Sequence, residues 1–239
     1  MTLPEFFGCT FIAFGTPFAM FIFTIANDSI RIIILIAAAF FWLLSLLISS
    51  LLWFAVVPLR EYLWFGVTFS VLFQEGFRYI VYRILRYTEH GLQLVTDNPR
   101  IIENKHILAY VSGLGFGVMS GMFALVNLLA DIAGPATMGL TGGSEVFMLI
   151  SSAQALAMIL LHTFWSVIFF NAFDTKNYFH IVYVVCTHLF VSLITLLYVQ
   201  EQYTAILLPT YILTLVTAAM AFKAAGGSKT SLTHFIKCQ

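Results

Sequence analysis

Charged residues are scarce in this chain. Asp, Glu, Lys and Arg make up only 9% of its 239 residues, whereas soluble domains carry about 25%. Hydrophobic residues make up 61%, and the mean hydropathy is +0.96. This composition excludes a water-exposed globular surface and predicts an integral membrane protein. The net charge of zero excludes a global field that would attract nucleic acid or another polyanion.

Cysteines and N-terminal basic residues are also few. The cysteines Cys9, Cys186 and Cys238 are too few and too scattered for a disulfide framework or a zinc site, and we expect no metal or cofactor. Acylation of Cys238, in the short tail, is a hypothesis by analogy with juxtamembrane palmitoylation sites. No Lys or Arg precedes Arg31. The basic region of a cleaved signal peptide is therefore missing, and we expect the first apolar stretch to be retained as a helix.

Long apolar runs dominate what remains. A membrane-spanning helix needs about 20 mainly apolar residues, and polar segments separate seven stretches of this length. Helix is expected in each because lipid cannot satisfy open backbone groups. The sequence therefore predicts an all-α integral membrane fold, with residues 1–239 forming one domain. Its seven transmembrane helices are predicted at about 3–26, 31–57, 62–86, 107–130, 146–172, 178–200 and 204–226.

Basic residues in the polar segments predict the orientation, since cytosolic loops carry an excess of Lys and Arg. With the N-terminus outside, the outer segments hold only Arg60, and Arg78 lies within the third helix. The inner segments then hold nine basic residues, which are Arg31, Arg83, Arg86, Arg100, Lys105, Lys176, Lys223, Lys229 and Lys237. The N-terminus is therefore predicted to be lumenal or extracellular and the C-terminus cytosolic. The sequon at Asn27 would lie in a cytosolic turn and carry no glycan.

The fourth predicted helix contains a tandem glycine motif. Gly113, Gly117 and Gly121 are spaced by four residues and therefore lie on one face of the helix. Lipid gives no hydrophobic drive for helices to associate, so association depends on close backbone approach, which glycines permit. Glycine is frequent in transmembrane helices, but two overlapping GxxxG motifs indicate a packing face. The motif leaves open whether that face meets the same chain or another.

Polar side chains fall near the middle of three predicted helices: Gln74, Glu75 and Arg78 in the third, His162 in the fifth and His188 in the sixth. Ionisable groups at this depth cost about 2.5–3.5 kcal/mol on insertion scales and so indicate a function or a buried polar contact. Glu75 and Arg78, three residues apart, are expected to pair. The histidines are expected at similar depth on adjacent antiparallel helices, where they can meet. We interpret this band as a hydrogen-bonded clamp between helices; a proton relay or an active site is the alternative.

Motifs for catalysis or transport are incomplete. A rhomboid-like intramembrane serine protease would pair Ser120 with His188, but Val118 stands where the G-x-S-G motif has glycine. An aspartyl site needs two facing carboxylic acids, and no predicted helix interior contains Asp. A transporter should have discontinuous helices in two matching halves; Pro17 and Pro209 interrupt the first and last helices, but no repeat accompanies them. The protease and the transporter stay open as alternatives to a non-catalytic scaffold.

Longer runs of residues carry a family resemblance. They include residues 37–45 (AAAFFWLLS), 74–79 (QEGFRY), 108–117 (LAYVSGLGFG), 160–165 (LLHTFW) and the pair His188-Leu189. Together these runs resemble the anterior pharynx-defective family, the multi-pass scaffold subunit of gamma-secretase. The likeness extends from Phe6 to Ser228. It departs at the turn around Arg60-Glu61, which is shorter, and at residues 142–145, which replace a Gly-Asp-Ser-Pro-like loop.

The resemblance implies a complex with presenilin (which carries the catalytic aspartates), nicastrin and the small presenilin-enhancer subunit. Such complexes cleave type I membrane stubs, including Notch receptors and amyloid precursor proteins, in endoplasmic reticulum, Golgi, plasma and endosomal membranes. The resemblance implies an assembly role for Gly113, Gly117 and Gly121, and a role in assembly and activity for His162 and His188. The expected function is therefore a non-catalytic scaffold whose rigid bundle receives partner helices on its outer faces.

Overall fold

The computed structural model describes residues 3–95, 105–133, 145–228 and 230. These residues form seven α-helices and two short 3₁₀ segments, without a strand, which confirms the all-α prediction. The helices are α1 (Leu3–Thr24), α2 (Ser29–Ala55), α3 (Leu63–Val95), α4 (Lys105–Ala133), α5 (Glu145–Asp174), α6 (Tyr178–Ile194) and α7 (Tyr203–Ala224). The 3₁₀ segments are Val57–Leu59, after α2, and Thr195–Gln200, which continues α6. Four residues named in the sequence analysis lie outside the described part of the chain: Arg100, Lys229, Lys237 and Cys238. Residues 142–144 of the divergent loop also lie outside it.

Six of these helices are long and apolar enough to cross a membrane. The chain is therefore a multi-pass membrane protein, as its composition predicts. The helix that falls short is α3, because Gln74, Glu75 and Arg78 interrupt its apolar residues. α3 also continues to Val95, beyond the predicted end at residue 86, through a segment expected to be a polar loop. The helix can continue through this polar segment because its backbone N–H and C=O groups bond to one another within the helix, in lipid or in water.

α5 is the central helix of the bundle. It packs against α1, α4, α6 and α7, while α2 packs between α3 and α4. Of the residues in the apolar stretch of α5, 67% are buried, whereas only 17% of those in the apolar stretch of α1 are buried. Trp165, Ile168 and Phe170 of α5 are among the largest side chains that are removed from the surface. The side chains of α5 are therefore packed against neighbouring helices on several sides.

The turn between α5 and α6 sets the depth of both histidines. α5 ends at Asp174 and α6 begins at Tyr178, and Lys176 takes a left-handed φ of 57° within this turn. At 1.5 Å per residue, His162 lies about 18 Å before the end of α5 and His188 about 15 Å after the start of α6. The short turn makes the helices antiparallel neighbours, so the two imidazoles face each other across them.

The outer surface of the bundle is apolar. Phe11, Phe23 and Leu215 are 77%, 83% and 72% exposed, and many other large apolar side chains share this position. A soluble monomer rarely exposes an apolar area of this extent. Lipid, or the helices of partner proteins, must cover this surface.

Candidate assembly site

Glu75 and Arg78 form a buried ion pair on α3. Arg78 Nε donates to Glu75 Oε2 at 3.0 Å, and Arg78 Nη2 donates to Glu75 Oε1 at 3.0 Å. The two side chains lie one helical turn apart, where i and i+3 side chains share a face. Arg78 is 1% exposed and Glu75 5% exposed. Two parallel charge-assisted hydrogen bonds of this kind are stronger than neutral ones, and they offset the loss of hydration of both charges.

Arg78 also joins α3 to α5. Its Nη1 donates to the backbone carbonyl oxygen of His162 at 3.1 Å and to the hydroxyl of Ser166. Its Nη2 donates to His162 Nδ1 at 2.9 Å. Because a guanidinium has five N–H donors and accepts none, one side chain can hold Glu75 and a full turn of α5 at once. The buried charge is thereby satisfied by partners on two helices.

Glu75 joins α3 to α6 in the same way. Its Oε1 lies 2.7 Å from His188 Nδ1, and His188 is 1% exposed. An ionised carboxylate only accepts hydrogen bonds, so Nδ1 of His188 carries a proton. Arg78 only donates, so Nδ1 of His162 is unprotonated and its proton lies on Nε2. Towards α3, His188 therefore acts as a hydrogen-bond donor and His162 as an acceptor.

The two histidines meet, as expected, but each is hydrogen-bonded to α3. The two imidazole centroids are 4.9 Å apart with an interplanar angle of 84°, so the rings meet as expected. The hydrogen bonds of both Nδ1 atoms, however, run to α3 and not between α5 and α6. Trp165 packs on His188 with centroids 4.6 Å apart. Charged groups on α3 attract the imidazoles more strongly than two neutral rings attract each other, because charge-assisted hydrogen bonds are the stronger kind.

Gln74 extends this polar cluster to α2. Its Oε1 accepts a hydrogen bond from Trp42 Nε1 at 3.0 Å, and its Nε2 donates to Ser70 Oγ at 3.1 Å. Trp42 is 4% exposed and belongs to the run 37–45 that carries the family resemblance, but its indole N–H was not among the predicted site groups. All five predicted polar residues are therefore buried: Glu75, Arg78, His162 and His188 form one hydrogen-bonded cluster across α3, α5 and α6, and Gln74, next to Glu75 in the chain, joins α3 to α2.

The glycine face of α4 meets α5. A Cβ atom added at Gly113 would lie 2.8 Å from the Cα of Thr163, and one at Gly117 would lie 2.5 Å from the carbonyl oxygen of Ile159. At Gly121 it would lie 2.6 Å from Cδ1 of Ile159. Real Cβ atoms do not approach backbone this closely, so α4 and α5 touch through their main chains. The partner of this face, left open by the motif, lies within the same chain.

Gly115 is a close-contact residue that the sequence pattern did not single out. A Cβ atom there would lie 2.4 Å from the carbonyl oxygen of Leu35 and 3.2 Å from Cβ of Ala38 on α2. Gly115 is two residues from Gly113 and so projects to the other side of α4. The i, i+4 pattern of the tandem motif excludes it, and only the small residues around Ala38 hinted at a second contact. α4 is thus packed closely against α2 on one side and α5 on the other.

The glycine face and the ion cluster share a residue. Cβ of Ser166 would lie 2.7 Å from a Cβ added at Gly113, and the hydroxyl of the same serine accepts a hydrogen bond from Arg78. The close approach of α4 to α5 therefore fixes the turn of α5 that Arg78 binds. A side chain at Gly113 would displace Ser166 and disturb the cluster from a distance.

A cavity of about 560 Å³, whose lining is mainly apolar but includes several polar side chains, borders the cluster between α3, α4, α5 and α6. Gln74 and His188 line it, and so does Ser120 of the incomplete protease motif. Both amide atoms of Gln154, which also lines the cavity, are buried without a hydrogen-bond partner in the structure. Among the described residues, no group of three or more His, Cys, Asp or Glu side chains could hold a metal ion. His188 reaches Glu75 through Nδ1, which leaves the ring oriented by α3.

Comparison with known proteins agrees with the family resemblance. The model of the family described as "Aph-1 protein" matches residues 4–228. The chain is 70% identical over 239 residues to "Gamma-secretase subunit Aph-1" of Drosophila melanogaster, with all of both chains covered. It is 47% identical over 248 residues to "Gamma-secretase subunit Aph-1b" of Danio rerio, with all of this chain and 95% of the relative covered. The likeness therefore spans every helix of the bundle.

Proposed function

The chain belongs to the Aph-1 family, and from this we propose that it is a non-catalytic scaffold subunit of a gamma-secretase complex. The observation that carries the proposal is the match over residues 4–228, together with relatives that are named as gamma-secretase subunits. These names favour a complex subunit over a transporter or a rhomboid-like protease. The expected partners are presenilin, nicastrin and the presenilin-enhancer subunit, and the reaction supported is cleavage of type I membrane proteins such as Notch and amyloid precursor-like proteins.

The chemistry of the buried cluster supports a structural role. Glu75 is held by Arg78 and His188, so it is not a free carboxyl group that faces a second acid, as an aspartyl protease requires. His162 is likewise hydrogen-bonded to Arg78 through its Nδ1. A cluster whose charges bind one another fixes the helices in register. We therefore assign Gln74, Glu75, Arg78, His162 and His188 to the stability of the bundle that partners recognise.

We further propose that α3 is the seventh membrane span. The residues that lower its apolar character, Gln74, Glu75 and Arg78, are at most 7% exposed and face other helices instead of lipid. Buried pairing is the usual condition under which such groups occur within a bilayer. Seven crossings put the two ends of the single domain, residues 1–239, on opposite sides. The basic residues favour a lumenal or extracellular N-terminus and a cytosolic C-terminus. Family membership leads us to propose that the chain resides in endoplasmic reticulum, Golgi, plasma and endosomal membranes.

The scaffold role predicts loss of assembly when α4 and α5 are forced apart. Gly117→Leu should abolish co-purification of presenilin, because even a Cβ atom at this position would lie 2.5 Å from the Ile159 carbonyl oxygen. Gly76→Leu is the control, since a Cβ at Gly76 meets nothing within 4 Å in this chain. A normal yield of complex from Gly117→Leu would contradict the role of the close contact.

The non-catalytic role has a separate test. The chain purified without its companions should neither cleave a transmembrane substrate nor conduct solute in liposomes, while omission of the chain should collapse the yield of active protease. Peptide-bond hydrolysis by the isolated chain that is lost on Ser120→Ala would favour the rhomboid-like alternative. Solute flux through the isolated chain would favour the transporter.

A further inference from the structure

A second cavity, separate from the buried cluster, opens where four helix ends meet. It has a volume of about 480 Å³ and lies among the end of α1, the starts of α2 and α4, the end of α7 and the side of α5. Thr24 is the last residue of α1, His106 the second of α4, and Ala225 follows the end of α7. Helix ends lie at the headgroup level of a bilayer. The mouth of this cavity is therefore at the membrane surface, on the side that the proposed orientation makes cytosolic.

The cavity is polar at its mouth and apolar inside. Arg31, His106, Thr24 and Tyr110 line the mouth, and the hydroxyls of Thr24 and Tyr110 lie 3.2 Å apart. The interior is lined by Phe164, Val167 and Ala218, and Ala221 and Phe222 line the cavity nearer the end of α7. Phe164 lies ten residues before the end of α5, which places it about 15 Å below the helix end. This depth is about half of a 30 Å hydrocarbon core, the reach of an acyl chain within one leaflet.

Arg31 is the basic side chain at the mouth. Its Nη1 donates to the backbone carbonyl oxygen of Thr24, and its Nε, which is buried without a hydrogen-bond partner in the structure, lies 3.7 Å from Oδ2 of Asp28 as one side of a salt bridge. The Asp28 carboxylate is committed to the start of α2, where its Oδ1 accepts from the backbone N–H groups of Ile30 and Arg31 at 2.9 and 3.3 Å. Because a guanidinium has five N–H donors, Arg31 keeps donors beyond its contact with Thr24, and His106, which also lines the cavity, can add a neutral imidazole N–H.

From this arrangement we propose that the cavity binds an anionic phospholipid of the cytosolic leaflet. The phosphate group lies against Arg31 and His106, and one acyl chain runs between α5 and α7 past Phe164 and Ala218. Basic pockets between transmembrane helices on the cytosolic side are suited to anionic headgroups, and the apolar interior buries the chain. The proposal goes beyond the scaffold role and depends on the proposed orientation only for the choice of leaflet.

The test uses the chain purified in mild detergent with the proteins that accompany it. Native mass spectrometry measures binding of phosphatidylserine and of phosphatidylcholine with identical acyl chains. Phosphatidylserine should bind more tightly at one site. Arg31→Gln should weaken phosphatidylserine binding roughly fivefold, the effect of one basic residue near an anionic membrane surface, and leave phosphatidylcholine unchanged. The matched control is Arg83→Gln, since Arg83 is exposed and does not line the cavity.

A second pair of variants tests the part of the cavity that would hold the acyl chain, without changing a charged residue. Ala218→Phe fills the cavity and should reduce binding of both lipids, whereas Ala219→Phe changes an exposed neighbour and should reduce neither. Soluble glycerophosphoserine should not displace the lipid, because the acyl chain supplies most of the affinity. Equal binding of the two lipids by the unmodified protein, or equal effects of Arg31→Gln and Arg83→Gln, would overturn the proposal.

Other occupants give distinct results. Displacement by glycerophosphoserine alone would identify a site for a soluble anion. Density for a peptide in this cavity, from this chain or from a partner, would replace the lipid proposal. Loss of presenilin co-purification from Gly117→Leu tests the scaffold role by itself. Detection of a glycan on Asn27 would reverse the leaflet while leaving the lipid measurement in detergent unaffected.

Discussion

Glu75 on α3 and His188 on α6 are joined by a 2.7 Å contact between Oε1 and Nδ1, although 113 positions of the chain separate them. The same carboxylate oxygen accepts from Arg78, which in turn binds His162 on α5. One acidic side chain therefore connects three helices at mid-depth. Because each charge in this chain of contacts satisfies the next, removal of any member leaves a buried group without its partner.

Glu75→Gln should strongly destabilise the bundle. Glutamine has nearly the same shape, but it removes the negative charge and leaves Arg78, which is 1% exposed, as an unpaired cation. Breaking a buried ion pair by removing one partner typically costs about 3–5 kcal/mol. We expect a large drop in the yield of folded chain and in its thermal stability in detergent. Glu89→Gln is the control, because Glu89 is partly exposed and its carboxylate oxygens lie 4.0 Å from the charged nitrogens of Arg86 and Lys105; an equal loss from both variants would argue against the cluster.

His162 and His188 should tolerate Asn better than Gln. Both histidines use Nδ1 for their hydrogen bond to α3. The amide of Asn occupies nearly the position of Nδ1, with an oxygen to accept from Arg78 and an N–H to donate to Glu75. The amide of Gln reaches the position of Nε2, which in His162 is buried without a hydrogen-bond partner in the structure.

The test is therefore how the substitutions rank by the yield of complex. We expect the yield of complex to fall in the order His, Asn, Gln, Leu at each position. The steps should be modest, because a hydrogen bond between membrane helices is worth about 0.6 kcal/mol on average. Co-purification of presenilin with each variant measures the order. Better function of Gln than of Asn would show that Nε2 is the atom that matters.

Asp174→Asn should have a small effect that depends on salt. Asp174 accepts from Arg86 Nε at 3.0 Å and Nη2 at 2.6 Å and from the Tyr82 hydroxyl at 3.0 Å, at the end of α5. The side chains of Arg86 and Asp174 are 14% and 24% exposed, so solvent screens the pair. Ion pairs near solvent are worth about 0–1 kcal/mol. Thermal stability of Asp174→Asn should fall less than that of Glu75→Gln, and the difference from the unmodified protein should shrink at high salt.

The sequence predicts the parts of the site but not how they are joined. Run lengths locate the apolar helices because the thickness of the bilayer sets their length. The pairing of Glu75 with Arg78 is local and follows from helical spacing. The contacts of Glu75 with His188, and of Arg78 with His162, depend on how α5 and α6 are rotated about their axes. The rotation of α5 is set by its packing against α4 and other neighbours, and that of α6 by its packing against α3 and α5. No spacing within a single helix records either packing. Trp42 and Gly115 were missed for the same reason, because their partners Gln74 and Leu35 lie on other helices.

Gly115→Ala tests the side of α4 that the tandem motif does not include. A Cβ atom at this position would lie 2.4 Å from the Leu35 carbonyl oxygen, which belongs to the backbone and cannot rotate away. Overpacking of this kind costs about 1–3 kcal/mol, so thermal stability and complex yield should both fall. Gly76→Ala, where the added Cβ meets nothing within 4 Å, should be neutral or stabilise its helix by about 0.5–1 kcal/mol. If Gly115→Ala behaved like Gly76→Ala, α2 and α4 would not be in main-chain contact, and only the α5 side of α4 would hold the bundle together.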